Sequence, residues 1–247
     1  MQNRYTGDIG DFGKFLLLKY LFPNESIATI WYLYPDESHN TDGSHTVEEG
    51  NIKVYQHCSS IDPAMSECFN TIHRELSRHV GLFETYPVLP NSHYFKEPVV
   101  GEGEYYRQKW LKRAIGFIEQ TQSRVVCLDP DNGIEPASMA KLTTNKQGKY
   151  ATYGEIEAFF EIGCVNHLVI YQHFHRQGPH ETQMRDAKQK FETLYRGRAV
   201  VTIIRHNPLQ ARFYIILSKI SFLIDDTKSL LSSRYKDRSF FTLLETL

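Results

Sequence analysis

Between residues 12 and 34 the chain passes from an apolar stretch punctuated by two lysines (FGKFLLLKYLF, residues 12–22) to a run of β-branched and aromatic residues (IATIWYLY, residues 27–34). The first, with Lys14 and Lys19 five apart and Pro23 closing it, predicts a short helix with a buried face. The second predicts a strand buried on both faces. Residues 62–78 predict a helix opened by Asp62 as N-cap and Pro63 in the first turn. After them come a short strand at 80–84, a helix at 105–122, a buried strand at 124–129 (RVVCLD), a helix at 153–163 closed by glycine, and a strand at 167–173 (HLVIYQH). Strands alternating with helices imply an α/β fold with a mostly parallel sheet covered on both faces.

The last third reads differently. Residues 199–205 (AVVTIIR) and 212–217 (RFYIIL) are strand patterns only six residues apart. A crossover between parallel neighbours needs a dozen or more, so the pair is expected as an antiparallel hairpin at the end of the sheet. No repeat, low-complexity tract or Ser/Pro-rich linker marks a boundary, so one domain over residues 1–247 is expected.

Composition narrows the class. With 41% hydrophobic and 23% charged residues the chain has the make-up of an ordinary globular protein, which excludes wholesale disorder. The longest apolar stretch, residues 213–224, is interrupted by Ser218 and Lys219 and falls short of the ~20 residues that span a bilayer. Acids and glycines stand where a secretory signal would be apolar. A cytoplasmic protein without a membrane partner is therefore expected. Cys58, Cys68, Cys127 and Cys164 form no C-x-x-C pair and are expected reduced. The formal net charge of -1 hides an asymmetry, -8 over residues 1–104 and +6 over residues 185–247. The basic end suits contact with phosphates, or is a solvated face.

Four groups of residues could carry chemistry. Gly7-Asp8-Ile9-Gly10-Asp11-Phe12-Gly13-Lys14 stands at the start of the first helix, with glycines that permit close approach to backbone N–H groups. It lacks the G-K-[ST] of a P-loop. Asp129-Pro130-Asp131-Asn132-Gly133 follows a buried strand, where open α/β sheets bind their ligands; it is also a strong turn signal. His173-Phe174-His175-Arg176 follows another strand, its two histidines on opposite faces of an extended chain and so poorly placed to chelate a metal. They read as ordinary loop histidines, or as His173 alone serving as a polar site residue. The loop after the first strand carries Asp36, Glu37, His39, Asn40, Asp42 and His45, without the pattern of an EF-hand or a zinc protease. Arg205-His206-Asn207-Pro208 in the hairpin turn reads as a plain turn or as an addition to a site.

In this order the parts resemble the class I S-adenosylmethionine-dependent methyltransferase fold, and more narrowly the large-subunit rRNA adenine-N6 methyltransferases and the three-Cys-motif partner proteins. The G-N-x-x-D-x-x-K element of the rRNA enzymes is matched at Gly7, Asp11 and Lys14. The first half of their D-P-P-Y is matched by Asp129-Pro130. Asn132 stands in place of the stacking Tyr, and residues 34–39 (YPDESH) in place of a glycine-rich turn. The resemblance implies a Rossmann-like three-layer sandwich that binds S-adenosylmethionine through Gly7, Asp11, Lys14 and the 35–45 loop with Asp36, His39 and Asp42. It also implies a nucleic-acid substrate whose target amino group donates a hydrogen bond to Asp129.

Two other readings use the same residues. A metal-dependent nuclease or phosphohydrolase would place Mg²⁺ or Mn²⁺ on Asp129, Asp131 and Asp8 or Asp11, with His173 beside them. A catalytically inactive partner protein would keep the fold without the chemistry. The first two readings need residues 7–14, 35–45 and 129–133 to converge on one pocket.

Overall fold

The structure, a computed structural model, describes residues 1–36, 58–101, 105–142, 144–207, 212–220, 231–235 and 238–244. Its centre is a seven-stranded sheet in the order β2-β1-β3-β4-β6-β5-β9. The strands are β1 (Ile27–Ile30), β2 (Ser92–Phe95), β3 (Val125–Leu128), β4 (His167–His173), β5 (Val200–His206), β6 (Arg212–Ser218) and β9 (Phe241–Leu243). Arg234–Tyr235 (β7) and Arg238–Ser239 (β8) form a separate two-stranded ribbon.

The sheet is mixed rather than mostly parallel. β2, β1, β3 and β4 run parallel, whereas β6 is antiparallel to both β4 and β5, and β9 is antiparallel to β5. The hairpin of β5 and β6 forms as its short connection requires. Its second strand inserts beside β4, which reverses one central strand, and β9 extends the antiparallel half at the edge.

The five longer helices are α1 (Ile9–Leu21), α2 (Pro63–Arg74), α3 (Tyr106–Thr121), α4 (Tyr153–Phe160) and α5 (His180–Leu194). Apolar residues of α1 and α2 share one core with Trp31, Val125, Val169, Tyr171 and Tyr214 of the sheet region. Those of α3, α4 and α5 share the second with Ile30, Leu128, Ile170, Phe213 and Ile215. Alternate residues of each strand thus feed opposite faces, giving three layers.

Local chemistry sets the helix starts. The Asp8 carboxylate accepts the Asp11 N–H and the Asp62 carboxylate accepts the Met65 N–H, each satisfying an orphan donor of a first turn. Thr152 and Glu155 close a capping box at α4. α1 begins at Ile9, three residues before the apolar stretch, so Gly10 as well as Gly13 lies within the helix.

β1 stops at Ile30 because Tyr32 turns to a left-handed conformation, φ 44°, which costs a non-glycine residue about 1–3 kcal/mol. The Tyr32 hydroxyl donates to Glu155 at 3.1 Å, and Glu155 is clasped by Arg107 at 2.6 and 2.8 Å. Arg107 also donates to the carbonyls of Gln147 and Tyr150, tying the chain ahead of α4 to α3. Residues 80–84, read as a strand, instead enter a helical turn, Leu82–Thr85, and the strand that pairs with β1 is Ser92–Phe95. Among the described residues no helix is long and apolar enough to cross a membrane.

Candidate functional site

β1, β3 and β4 end at one edge of the sheet, Ile30 beside Leu128 and Leu128 beside Ile170, and β4 runs on through Tyr171 and Gln172 to His173. There His173 pairs with Arg212 of β6, and Arg212 with His206 of β5. Odd-numbered β4 residues face α1, so the N-terminal turns of α1, the residue after β3 and the row His173, Arg212, His206 form one polar layer between helix and sheet.

Lys14 is the hub. Its ammonium lies 2.8 Å from Asp11 Oδ1 and 2.8 Å from Asp129 Oδ1, and 4.6 Å from the centre of the Trp31 ring. All three charged side chains are buried, Lys14 at 1%, Asp11 at 2% and Asp129 at 4% exposure. Asp11 and Lys14 meet because residues three apart share a helix face. Asp129 joins them because β3 delivers it to the strand end over which α1 starts. The second Asp11 oxygen accepts the Gly7 N–H at 2.9 Å, where Gly7 has φ 78°.

The two carboxylates hold the Lys14 ammonium protonated well above the usual lysine range, against its own burial. Burial pushes the Asp11 carboxyl up to about 6, a cost that Lys14 only partly offsets and that Asp8 and Asp129 increase. With both carboxylates ionised and Lys14 protonated, the triad carries one net negative charge. No other described residue hydrogen-bonds the second oxygen of Asp129.

Asp131 faces a different set of partners. Gln2 Nε2 donates to it at 3.1 Å, Lys149 lies at 3.5 Å, and the Met1 amino group at 3.9 Å also points at the carbonyls of Tyr32 and Asp129. Lys149 lies over the Tyr34 ring as well. These cations hold the Asp131 carboxyl below its ordinary value although burial opposes them. Asp36 pairs with Arg4 at 3.6 Å at the rim.

The chain matches no family model, no curated protein and no solved structure.

His173 stands on the α1 side, its Nε2 2.7 Å from the Tyr171 hydroxyl, and burial with the nearby Arg212 charge brings it down to about 4. It is a neutral ring at pH 7. Arg212 is buried over the Tyr171 ring and makes no ion pair within 4 Å among the described residues; Asp8 and Asp11 act on it at longer range. His206 is fully buried, and neither ring nitrogen has a hydrogen-bond partner among the described residues.

Of the three segments expected to converge, residues 7–14 and 129–133 do so through Lys14 and Asp129. From the third, Asp36 reaches only the rim, and His39 and Asp42 lie outside the described residues. Two of the glycines make room for side chains of the sheet: a Cβ on Gly10 would lie 1.6 Å from an Arg212 nitrogen, and one on Gly13 would lie 2.4 Å from His206. The helix is glycine-faced so that these side chains fit beneath it.

Sequence reasoning missed Tyr171, Arg212 and Lys149. The first was legible, since Tyr171 and His173 are two apart on one strand. Arg212 and Lys149 come from other elements and reach the edge only through topology.

Proposed function

We propose that the chain is a transferase acting on a nucleic-acid base, in which Asp129 accepts a hydrogen bond from the target amino group; S-adenosylmethionine is the donor that the resemblance implies. The observation that carries this reading is the Asp129 carboxylate, fixed through one oxygen by Lys14 at the end of a central strand, with the other oxygen unengaged by the described residues. The order β2-β1-β3-β4-β6-β5, with β6 reversed between β4 and β5, is in keeping with the resemblance to the methyltransferase fold.

A carboxylate at that oxygen would orient an amino group and stabilise the positive charge that grows on its nitrogen as the new bond forms. The net negative charge of the triad favours the same development, and no proton need leave Lys14. The basic C-terminal third suits the phosphates of such a substrate.

For the donor, the described residues make no bed. Trp31 and Tyr32 fill the space after β1, and Met1 bonds across it to the Tyr32 carbonyl and the Tyr34 N–H. Gly7, Asp11 and Lys14 bond to one another. The metal-dependent reading is less well supported, because the Lys14 ammonium takes the place between Asp11 and Asp129 that a divalent cation would need.

Calorimetric titration with S-adenosylmethionine and, separately, with Mn²⁺ tests the choice. Saturable binding of the first is expected, with methyl transfer to single-stranded RNA or DNA. Asp129→Asn should keep that binding and lose at least about 100-fold in transfer, as for removal of a group that stabilises developing charge. Failure to bind the donor, or undiminished transfer by Asp129→Asn, overturns the proposal. Tight Mn²⁺ binding lost in Asp129→Asn would favour phosphodiester cleavage instead.

A further inference from the structure

At the C-terminal end of β4, where Gln172 and His173 reach it, the chain leaving Gly133 opens a half-enclosed cleft of about 130 Å³ between β4, β6 and α5. Its floor is Ile134, Phe213, Ile215 and Phe191, and Tyr153 at the start of α4 forms a wall. The volume is close to the roughly 150 Å³ of an apolar cavity that takes up a benzene ring, and far below the few hundred Å³ of a pocket for a drug-sized ligand. One planar ring fits.

Two charged groups at the cleft set what such a ring must carry. Lys190 lies 3.9 Å from the centre of the Tyr153 ring, is exposed, and has no carboxylate partner within 4 Å among the described residues. Glu135, beside Tyr153 in the lining, accepts the Tyr153 N–H through Oε1 at 2.6 Å, and its other oxygen takes no hydrogen bond from a described residue, although the Arg107 charge acts on the carboxylate. The cleft therefore pairs an aromatic wall with a cation for an anionic substituent and a carboxylate for a ring amino group.

We propose that this cleft binds the pyrimidine ring of a nucleotide with an exocyclic amino group, the ring on the apolar lining of Ile134, Phe213 and Phe191 beside Tyr153, the amino group on Glu135 and the phosphate on Lys190. The proposal goes beyond the transferase reading and does not depend on it: His173 reaches both places, but Asp129 does not line the cleft.

Chemical-shift mapping and titration of the full chain with cytidine monophosphate, uridine monophosphate and cytidine test it. Saturable binding of cytidine monophosphate is expected, with shifts at Ile134, Tyr153 and Phe191 and weaker binding of the uridine nucleotide. Lys190→Ala should weaken the cytidine nucleotide about fivefold, the upper end for one solvent-exposed charge pair, and leave cytidine unchanged. Lys190→Arg should restore it. Lys190 is exposed, and thermal unfolding of each variant checks that the fold is kept. An oligodeoxycytidylate that binds more tightly than the mononucleotide assigns the site to a strand, and the reverse assigns it to the free nucleotide; either supports the cleft. Absence of saturable binding, shifts confined to other parts of the surface, or affinity untouched by Lys190→Ala overturns the proposal. Asp129→Asn should leave the titration unaltered, so the transferase reading can fail while the cleft stands.

Discussion

Lys14 shows how one side chain can be required without being a source of net stability. Taking an ammonium and two carboxylates out of water is costly, and their attraction only repays that cost when the geometry is good, as the two 2.8 Å contacts are. Removing the central charge is another matter. Lys14→Met leaves Asp11 and Asp129 buried together without a counter-ion, so a loss of about 3–5 kcal/mol is expected in urea unfolding. Asp11→Asn should cost less, because Lys14 still pairs with Asp129 and an asparagine oxygen can still accept the Gly7 N–H. Equal losses in the two variants would show that the shared ammonium is not what holds the layer together. The Asp11 to Lys14 spacing was legible as one helix face; the third member was not. Asp129 lies 115 positions from Lys14 in the sequence, and only the passage of β3 beneath α1 brings them into contact.

At the scale of elements, α1 is a helix shaped by what lies under it. Glycine in a helix interior costs about 0.5–1 kcal/mol relative to alanine, so replacing one should stabilise wherever space permits. Gly116 in α3 has open space around its missing Cβ, and Gly116→Ala is expected to raise stability by up to about 1 kcal/mol. Gly13 meets His206, whose ring is itself held against Phe240 and Phe241 at 5.0 and 5.6 Å between ring centres. Gly13→Ala should therefore destabilise by about 1–3 kcal/mol through overpacking, despite the better helix former. Thermal unfolding of the two variants decides, and a Gly13→Ala protein as stable as Gly116→Ala would refute the account of the glycine face. Elements with strong local patterns were readable: β4 runs over the residues expected, and α2 starts at the Asp62 cap. Others were hidden for physical reasons. α5 buries only Met184 and Phe191 of its fifteen residues, so too few apolar positions stand out in its polar sequence, and β2 is four residues long with two half-exposed. Where β1 ends, Tyr32 turns left-handed and its hydroxyl bonds Glu155, a contact between distant parts of the chain that no local pattern carries.

For the whole molecule, the buried histidines should decide how stability depends on pH. His167, beside Ser218 at 3.0 Å and packed on Phe22, is brought down to about 4 by burial; His173 is brought to about 4; His206 goes further down, from burial and then the charge of Arg212. In the unfolded chain each titrates near 6.5. A histidine with a depressed native pKa contributes its full stability above the unfolded value and loses it as pH falls from about 6.5 towards 4, because the unfolded state takes up protons that the native state refuses. At pH 5 this amounts to at most about 2 kcal/mol for each of His167 and His173. Asp11 acts with the opposite sign. Raised to about 6, it binds its proton in the native state first, which returns about 1.5 kcal/mol between pH 7 and pH 5. These histidines, with His73, which burial and then the Arg78 charge also lower, outweigh one carboxyl, so the urea midpoint should fall between pH 7 and pH 5, with net proton uptake on unfolding. His167→Gln, which keeps a polar partner for Ser218 away from the charged cluster, should reduce that uptake by about one proton and flatten the dependence. A midpoint that holds or rises on going to pH 5 would mean that the carboxyls of the α1 layer, not the histidines, govern the titration, and Asp11→Asn would then be the variant that abolishes it.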